Sequence, residues 1–353
     1  MGRIRVVMMR TSLLVFAAFS LLSGTAFGKA REYLKKKDSW YSGKEAEVIA
    51  GNVLSFQSEL GGWPKNIDTT KEKYEGDQSK LRPTYDNGAT TDELRFLAKM
   101  IRATDEDRYR KAFDQGLEYV MKGQYPNGGW PQYIPLSKGY HRHITFNDYA
   151  MVRLLEFVRE VASSEDYSFV KKDRREEAEK AFERGISCIL KCQIKVGDRL
   201  TVWCAQHDEV DLRPQVGRSY ELASLSGAES VGITRLLMSL DDPSPEVVRS
   251  AEAAIRWFEK SKLSGIRVVK VKDAKGPGGE NRVVVKDPSA PDLWGRFYDI
   301  QTNRPIFVDR DGIPKSSLAE IGYERRNGYA WYGNWPNKVV GKKAKKWRER
   351  IAK

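Results

Sequence analysis

A chain of 353 residues, 40% of them hydrophobic, is long enough for one large domain or two ordinary ones, and three cysteines are too few for a disulfide scaffold. The formal net charge of +13 favours a polyanionic partner such as an acidic polysaccharide, a membrane surface or nucleic acid. After the first 28 residues no apolar run approaches the length needed to span a bilayer.

Residues 1–28 have the layout of a secretory signal peptide. Arg3, Arg5 and Arg10 form a basic start, Leu13 to Leu22 a short apolar run, and Ala26-Phe27-Gly28 a small-residue cleavage region. The expected mature protein is exported, secreted or periplasmic, and its charge falls from +13 to +10 with the loss of those three arginines. Residues 29–353 read as one domain, with a helical part at about 40–263, a β-containing or irregular part at about 264–336, and a basic tail at 337–353.

Three Gln-to-Trp segments organise the helical part: Gln57 to Trp63, Gln124 to Trp130, and a looser Gln193 to Trp203. The glutamines lie 67 and 69 residues apart, room for two helices and their loops, so each repeat reads as a helical hairpin ending in a Gly-rich turn. Such repeats predict helices wound into a ring with equivalent loops gathered at one end. Apolar residues at three- and four-residue spacing predict helices over Thr91–Ala103, Tyr109–Lys122, Asp148–Ala162, Arg174–Lys191, Ala228–Leu240 and Pro245–Ser261. Thr90 with Glu93, and Ser226 with Glu229, fit the capping box, and Thr145 with Asp148 is a weaker version. Lys272–Asn281, between two Val-rich runs, reads as a hairpin turn. After Leu263, short β-type runs are expected over the mouth of the ring.

Candidate chemistry sits just before the helix starts. Asp86, Asn87 and Asp148 are oxygen donors of the kind that hard divalent cations take, and on spacing alone they are equally a turn and a helix cap. Arg218, Arg296 and Arg310 can hold carboxylates through planar forked hydrogen bonds, although most arginines are solvated or salt-bridged. The pair His141 and His143 invites a zinc reading but has no third ligand at suitable spacing, and His207 reads as structural. The first two Gln-x-x-x-Gly-x-Trp segments also resemble terpene cyclase repeats, but the acidic motif of those enzymes is missing.

Taken in order, Gly61–Lys65, Asp86–Thr91, Asn127–Gln132, Ile144–Asp148, Ala223–Ser230, Arg296–Asp299, Phe307–Gly312 and Tyr329–Tyr332 resemble the pectate lyases of polysaccharide lyase family ten. The resemblance implies an all-α (α/α)3 toroid with a smaller irregular, β-containing C-terminal part over the cleft. It implies cleavage of polygalacturonate by β-elimination with calcium, and no nucleic-acid or membrane partner; the expected state is a monomer. It assigns Asp86, Asn87 and Asp148 to the metal, Arg218 to catalysis with Arg213 as the fallback, and Lys65, Asp86, Arg296, Arg310 and Tyr329 to substrate. An arginine is an awkward base, since its ordinary pKa is about 12.5–13.8, and desolvation is expected to lower it. The rivals are an inverting glycoside hydrolase using Asp86 and Asp148 and a non-catalytic binder of acidic glycans.

Overall fold

The computed structural model describes residues 29–352, so the signal-peptide segment lies outside the described residues. Ten α-helices are present in that range: α1 Ala30–Tyr33, α2 Lys44–Ser55, α3 Thr91–Thr104, α4 Asp107–Lys122, α5 Ala150–Ser163, α6 Lys172–Cys192, α7 Glu229–Met238, α8 Pro245–Lys260, α9 Tyr323–Gly328 and α10 Lys342–Ile351. The pairs α3/α4, α5/α6 and α7/α8 pack as hairpins, α5 packs on both α3 and α7, and α2, α4, α6 and α8 form the outer layer of an α/α toroid. All six helices expected from periodicity are there, with ends shifted by a few residues. Helix α2 was not expected. The basic tail is a helix too, docked through buried Ala344 and Trp347 and by an Arg348–Glu252 pair at 2.7 and 3.0 Å.

The repeat has a physical explanation. Gln57 donates from Nε2 to the Gly61 carbonyl of its own turn at 2.7 Å and to Ala112 of α4 at 2.8 Å. Gln124 does the same to Gly128 and to Ala181 of α6, and Gln193 to Thr201 and to Ser250 of α8. Each amide thus ties the end of one outer helix to the next outer helix. The three tryptophans are fully buried, and their indole N–H groups donate to Val53, Val120 and Ile189 in the preceding outer helix at 2.7, 2.9 and 2.7 Å. Glycine is required at two of the turns. Gly61 and Gly128 have φ of 98° and 96°, and a Cβ would strike the carbonyl oxygens of Gln115 and Arg184. At the third station a small hairpin of Lys195–Val196 with Arg199–Leu200 makes the turn, with Gly197 at φ 58° and no close neighbour where its Cβ would be.

Each tryptophan also hands the chain on to the inner layer. The carbonyls of Trp63, Trp130 and Trp203 accept from the amides of Thr84, Thr145 and Ser226, which enter α3, α5 and α7. The inner helices do not fill the axis. A cavity of about 380 Å³ lies among them, lined in part by Asp92 and Arg95 of α3, Arg153 and Glu156 of α5 and Arg235 of α7.

The C-terminal part is β-containing, as expected. Strands Ile266–Lys272 and Glu280–Lys286 pair in register from Ile266–Lys286 to Lys272–Glu280, around the turn placed there by sequence. Phe297–Tyr298 pairs with Leu225–Ser226, directly before α7, and Trp294–Gly295 pairs with Tyr332–Gly333. A second apolar cluster that includes Phe297, Phe307, Leu318, Ile321 and Trp331 holds this part together.

The capping-box readings fail at Thr90 and Thr145. Thr90 has φ 71°, caps nothing, and instead accepts from the Trp63 amide and donates to the Thr84 carbonyl; Thr145 donates to the His143 carbonyl. Ser226 does accept from the Glu229 amide at 3.0 Å, but the Glu229 carboxylate is engaged elsewhere. The three cysteines are free and buried. His207 is buried, donating from Nδ1 to the Leu212 carbonyl and accepting at Nε2 from the Cys204 amide, and burial pushes its pKa down to about 4.

Replacing Gln57 by Leu leaves the Gly61 carbonyl without its donor, removes the link to α4, and is expected to cost about 1–3 kcal/mol. Urea denaturation of the full chain reads this cost; a loss below a few tenths would show that the amide bridge contributes nothing to stability.

Candidate active site

Two left-handed turns form the floor of the site. Asp86–Gly88 precedes α3 with Asn87 at φ 56°, and Asn147–Tyr149 precedes α5 with Asp148 at φ 50° and Tyr149 at φ 63°. Non-glycine residues are uncommon in that region and cluster where function over-determines the backbone. Each turn is suspended from the next station of the repeat. The Tyr85 amide donates to the Gln132 carbonyl, two residues after Trp130, and the Phe146 and Asn147 amides donate to Ala205, two residues after Trp203. The two turns pack against each other. Before α7 the C-terminal part takes over, where Gly227 donates to the Arg296 carbonyl at 2.8 Å.

Asp86 is buried. Its Oδ2 accepts from Lys65 and, at 2.6 Å, from Gln132 Nε2. Lys65 and Gln132 hold equivalent places, two residues beyond Trp63 and Trp130, so two stations converge on one carboxylate. Asp148 Oδ2 accepts from Asn147 Nδ2 at 2.8 Å, while Oδ1 lies 3.6 Å from Arg296. Burial raises the pKa of Asp148, against the pull of Arg296.

Three buried oxygens near these turns have no hydrogen-bond partner among the described residues: Asp86 Oδ1, Gln132 Oε1 and Asn147 Oδ1. Buried oxygens without donors are costly, and carboxylate and amide oxygens are the ligands that a hard cation takes. The donor set therefore fits a divalent cation of the calcium type at Asp86, Asn87 and Asp148, with Gln132 and Asn147 as oxygens that sequence reasoning missed. The group His143, Asp208 and Glu209, whose ligand atoms lie within 4.8 Å of one another, is elsewhere and internally satisfied. His143 meets Glu209 at 2.9 Å, Arg142 also holds Glu209, and Asp208 accepts from the Val210 and Asp211 amides.

The opposite wall is cationic and aromatic. Arg296 pairs with buried Glu229, which also accepts from Ser226. The guanidinium of Arg296 lies 4.7 Å from the centre of the Tyr329 ring. Near the same ring, at 5.7 Å, is Arg218, which is also 4.9 Å from Tyr220. Arg218 forms a fork with Glu221, and the Tyr329 hydroxyl donates to the same carboxylate at 2.6 Å. Burial disfavours the charge on Arg218, but Glu221 outweighs it and holds the guanidinium well above its ordinary pKa. The desolvation argument made from sequence thus identified a real effect that a neighbouring carboxylate overrides.

Lys65, Asp86, Asp148, Arg218, Arg296 and Tyr329 come together through a run of contacts: Lys65 with Asp86, the Asp86 turn with the Asp148 turn, Asp148 with Arg296, and both arginines with the Tyr329 ring. Arg310 stands apart: it is exposed, forked onto Glu324 at 2.9 Å on both arms, and 5.9 Å from Tyr220. Arg213 faces solvent and pairs with Asp211 at 2.7 Å. Glu229 and Glu221 were overlooked: Arg296 is 67 residues from the first, and the second joins Tyr329, 108 residues away, to its near neighbour Arg218.

A family model described as pectic acid lyase matches residues 57–340. The structure is similar to the family 10 polysaccharide lyase from Cellvibrio cellulosa, with 34% identity, a TM-score of 0.74, and coverage of 88% of this chain and 94% of that one. An alanine mutant of that lyase, in complex with trigalaturonic acid, gives the same values. A type II terpene cyclase from Scytonema aligns over 66% of this chain and 68% of its own, with 14% identity and a TM-score of 0.22, too little to bear on fold or function. No curated protein sequence matches.

Replacing Arg296 by Met leaves Glu229 buried with the Ser226 hydroxyl as its remaining side-chain partner among the described residues, at an expected cost of about 3–5 kcal/mol. Adding Glu229→Gln to that variant removes the orphaned charge and recovers part of the loss. Urea unfolding of both variants checks this: if the double variant is no more stable than the single one, the pair is not the buried one described.

Proposed function

Since the chain belongs to the pectic acid lyase family, we propose that it cleaves polygalacturonate by calcium-assisted β-elimination with Arg218 as the base. That it is a polysaccharide lyase follows from the family; the cofactor, the base and the product are this reading's additions. The observation that carries the reading is the pairing of the oxygen-lined turns of Asp86 and Asp148 with a wall of Arg296, Tyr329 and Arg218. One side suits a cation and the other suits carboxylates. The ligand in the Cellvibrio complex, trigalaturonic acid, is an oligomer with the carboxylate chemistry this cleft is suited to.

β-Elimination removes the proton on C5 of a uronate, leaves its electron pair as the C4–C5 double bond, and breaks the bond from C4 to the glycosidic oxygen. The proton is reluctant to leave because the adjacent carboxylate is already negative. Calcium held by Asp86, Asn87 and Asp148 would supply Lewis-acid stabilisation of a substrate carboxylate. Lys65 holds Asp86 in place as an ion pair. Arg296 presents a fixed positive charge beside Asp148, suited to the charge that develops next to C5. Tyr329 offers a ring face flanked by two guanidinium groups. Arg310, out at the exposed rim, suits a sugar further along the chain, where Glu324 would give way to a substrate carboxylate. Only a neutral Arg218 accepts a proton, so an alkaline optimum is expected. Export through the N-terminal segment completes the proposal, since the polymer lies outside the cell that secretes the enzyme.

Polygalacturonate incubated with the mature protein should give an ultraviolet absorbance from 4,5-unsaturated ends that requires calcium and vanishes in EDTA. Arg218→Ala should lower kcat by roughly 10²–10⁴-fold, the range for a general base, while Arg213→Ala keeps activity. New reducing ends without that absorbance would replace the lyase reading by hydrolysis, and no cleavage would leave a binding protein.

A further inference from the structure

Glu221 is a carboxylate that the chemistry above does not use, yet it is bonded as if its position mattered. It is 4% exposed, and its two oxygens accept four hydrogen bonds. Oε2 accepts from the Arg218 amide at 3.1 Å and from Arg218 Nε at 2.9 Å; Oε1 accepts from Arg218 Nη2 and from the Tyr329 hydroxyl at 2.6 Å. The turn that bears both residues is closed by its own backbone, Glu221 to the Arg218 carbonyl at 2.7 Å and Gly217 to the Glu221 carbonyl at 2.9 Å. A Cβ on Gly217 would come within 2.9 Å of Glu221 Oε2, so the glycine leaves room for the carboxylate. With Tyr220 and Tyr329 against the guanidinium, Nη1 is the nitrogen left without a hydrogen-bond partner among the described residues.

We propose that Glu221 is the positioning residue of the elimination: it clamps Nε and Nη2 of Arg218 and leaves Nη1 as the atom that meets the C5 proton. The inference rests on Arg218 being the base. In the step, the C5–H bond breaks and the proton joins Nη1 of the neutral side chain to give the guanidinium. The C5 electron pair becomes the C4–C5 double bond, and the bond from C4 to the glycosidic oxygen breaks with its electron pair going to that oxygen, which takes a proton from water. A bidentate clamp fixes the plane of the guanidinium, which a single hydrogen bond would not do. Fixing a reacting atom in this way is worth more than its contacts suggest, because misplacement by about 1 Å costs roughly 100-fold.

The clamp has a consequence for pH. The groups facing the Arg218 guanidinium are Glu221 and Tyr220 from its own turn, Tyr329 from the C-terminal part, and, further off, Tyr140 and Asp148 from the neighbouring loops. Arg296 lies near Tyr329, and Arg310 and Arg325 lie near Tyr220. Glu221 is the one opposite charge in contact with Arg218 among the described residues. It favours the charged form, so removing that charge lets burial and the other cations favour the neutral base at lower pH.

The test measures kcat and KM against pH on polygalacturonate with calcium, for the full chain and for Glu221→Gln, Glu221→Asp and Arg218→Ala. In Glu221→Gln the ascending limb of kcat/KM should move to lower pH by about 1–3 units, the size of an adjacent opposite charge. In Glu221→Asp, which keeps the charge but shortens the reach, the limb should stay put while kcat falls roughly 100-fold with KM unchanged. A Glu221→Gln profile with an unmoved limb would overturn the proposal, as would a Glu221→Asp variant that loses as much in KM as in kcat. Should Glu221→Gln fail to fold by circular dichroism, Glu221→Asp alone decides through the split between kcat and KM. Calcium-dependent unsaturated product from Arg218→Ala would sink the base assignment and this inference together; an inactive Arg218→Ala beside an unmoved Glu221→Gln limb would sink the inference alone.

Discussion

The structure depends on one side-chain amide used three times. Gln57, Gln124 and Gln193 each give both Nε2 hydrogens to backbone carbonyls, one in the turn that follows and one in the next outer helix. The buried carbonyl of the turn must find a donor, and a shorter or apolar side chain would supply none. The bridge fixes the turn, the turn seats the tryptophan, and the tryptophan carbonyl receives the strand that enters the inner helix. Site geometry is therefore set from the outside inwards.

Within the cleft, charge is arranged so that no ionised group is buried alone. Asp86 faces Lys65, Glu229 and Asp148 share Arg296, and Glu221 holds Arg218. Such pairs contribute little net stability once desolvation is counted, but breaking one is expensive. Their value lies in geometry: a planar guanidinium between a carboxylate and a tyrosine ring has few alternatives. The orphaned oxygens of Asp86, Gln132 and Asn147 are the exception, and they fall where a cation would relieve them.

Much of this was legible in the sequence, for a physical reason. The Gln and Trp residues mark the repeat because their roles demand a donor at fixed reach and a large ring with one polar atom. Apolar spacing found the six helices from α3 to α8 because each buries one face. Helix α10 was read as a tail since its lysines dominate the composition, while only Ala344 and Trp347 hold it to the body. Thr90 looked like a helix cap, but its hydroxyl ties the Trp63 amide to the Thr84 carbonyl across the fold. The same limit hid Gln132, Glu221 and Glu229. Gln132 and Glu229 meet partners on other elements, and Glu221 meets Arg218 three residues away only because that stretch closes into a turn. Asp86, Asp148 and Arg218 were found through family resemblance more than through spacing, which left a turn, a cap and a solvated arginine equally good.

The cavity among α3, α5 and α7 changes how the site is supported. Here the ground beneath the Asp86 turn is an opening lined by Asp92, Arg95, Arg153 and Arg235, and a Cβ on Gly88 would meet Asp92 and Arg153 at once. The molecule resembles a spoked wheel, with tension carried by the rim and a hollow hub. Damage to the outer helices should then be felt at the cleft even when the cleft itself is untouched, whereas changes inside the hub can alter the electric field under the reacting sugar without loosening the frame.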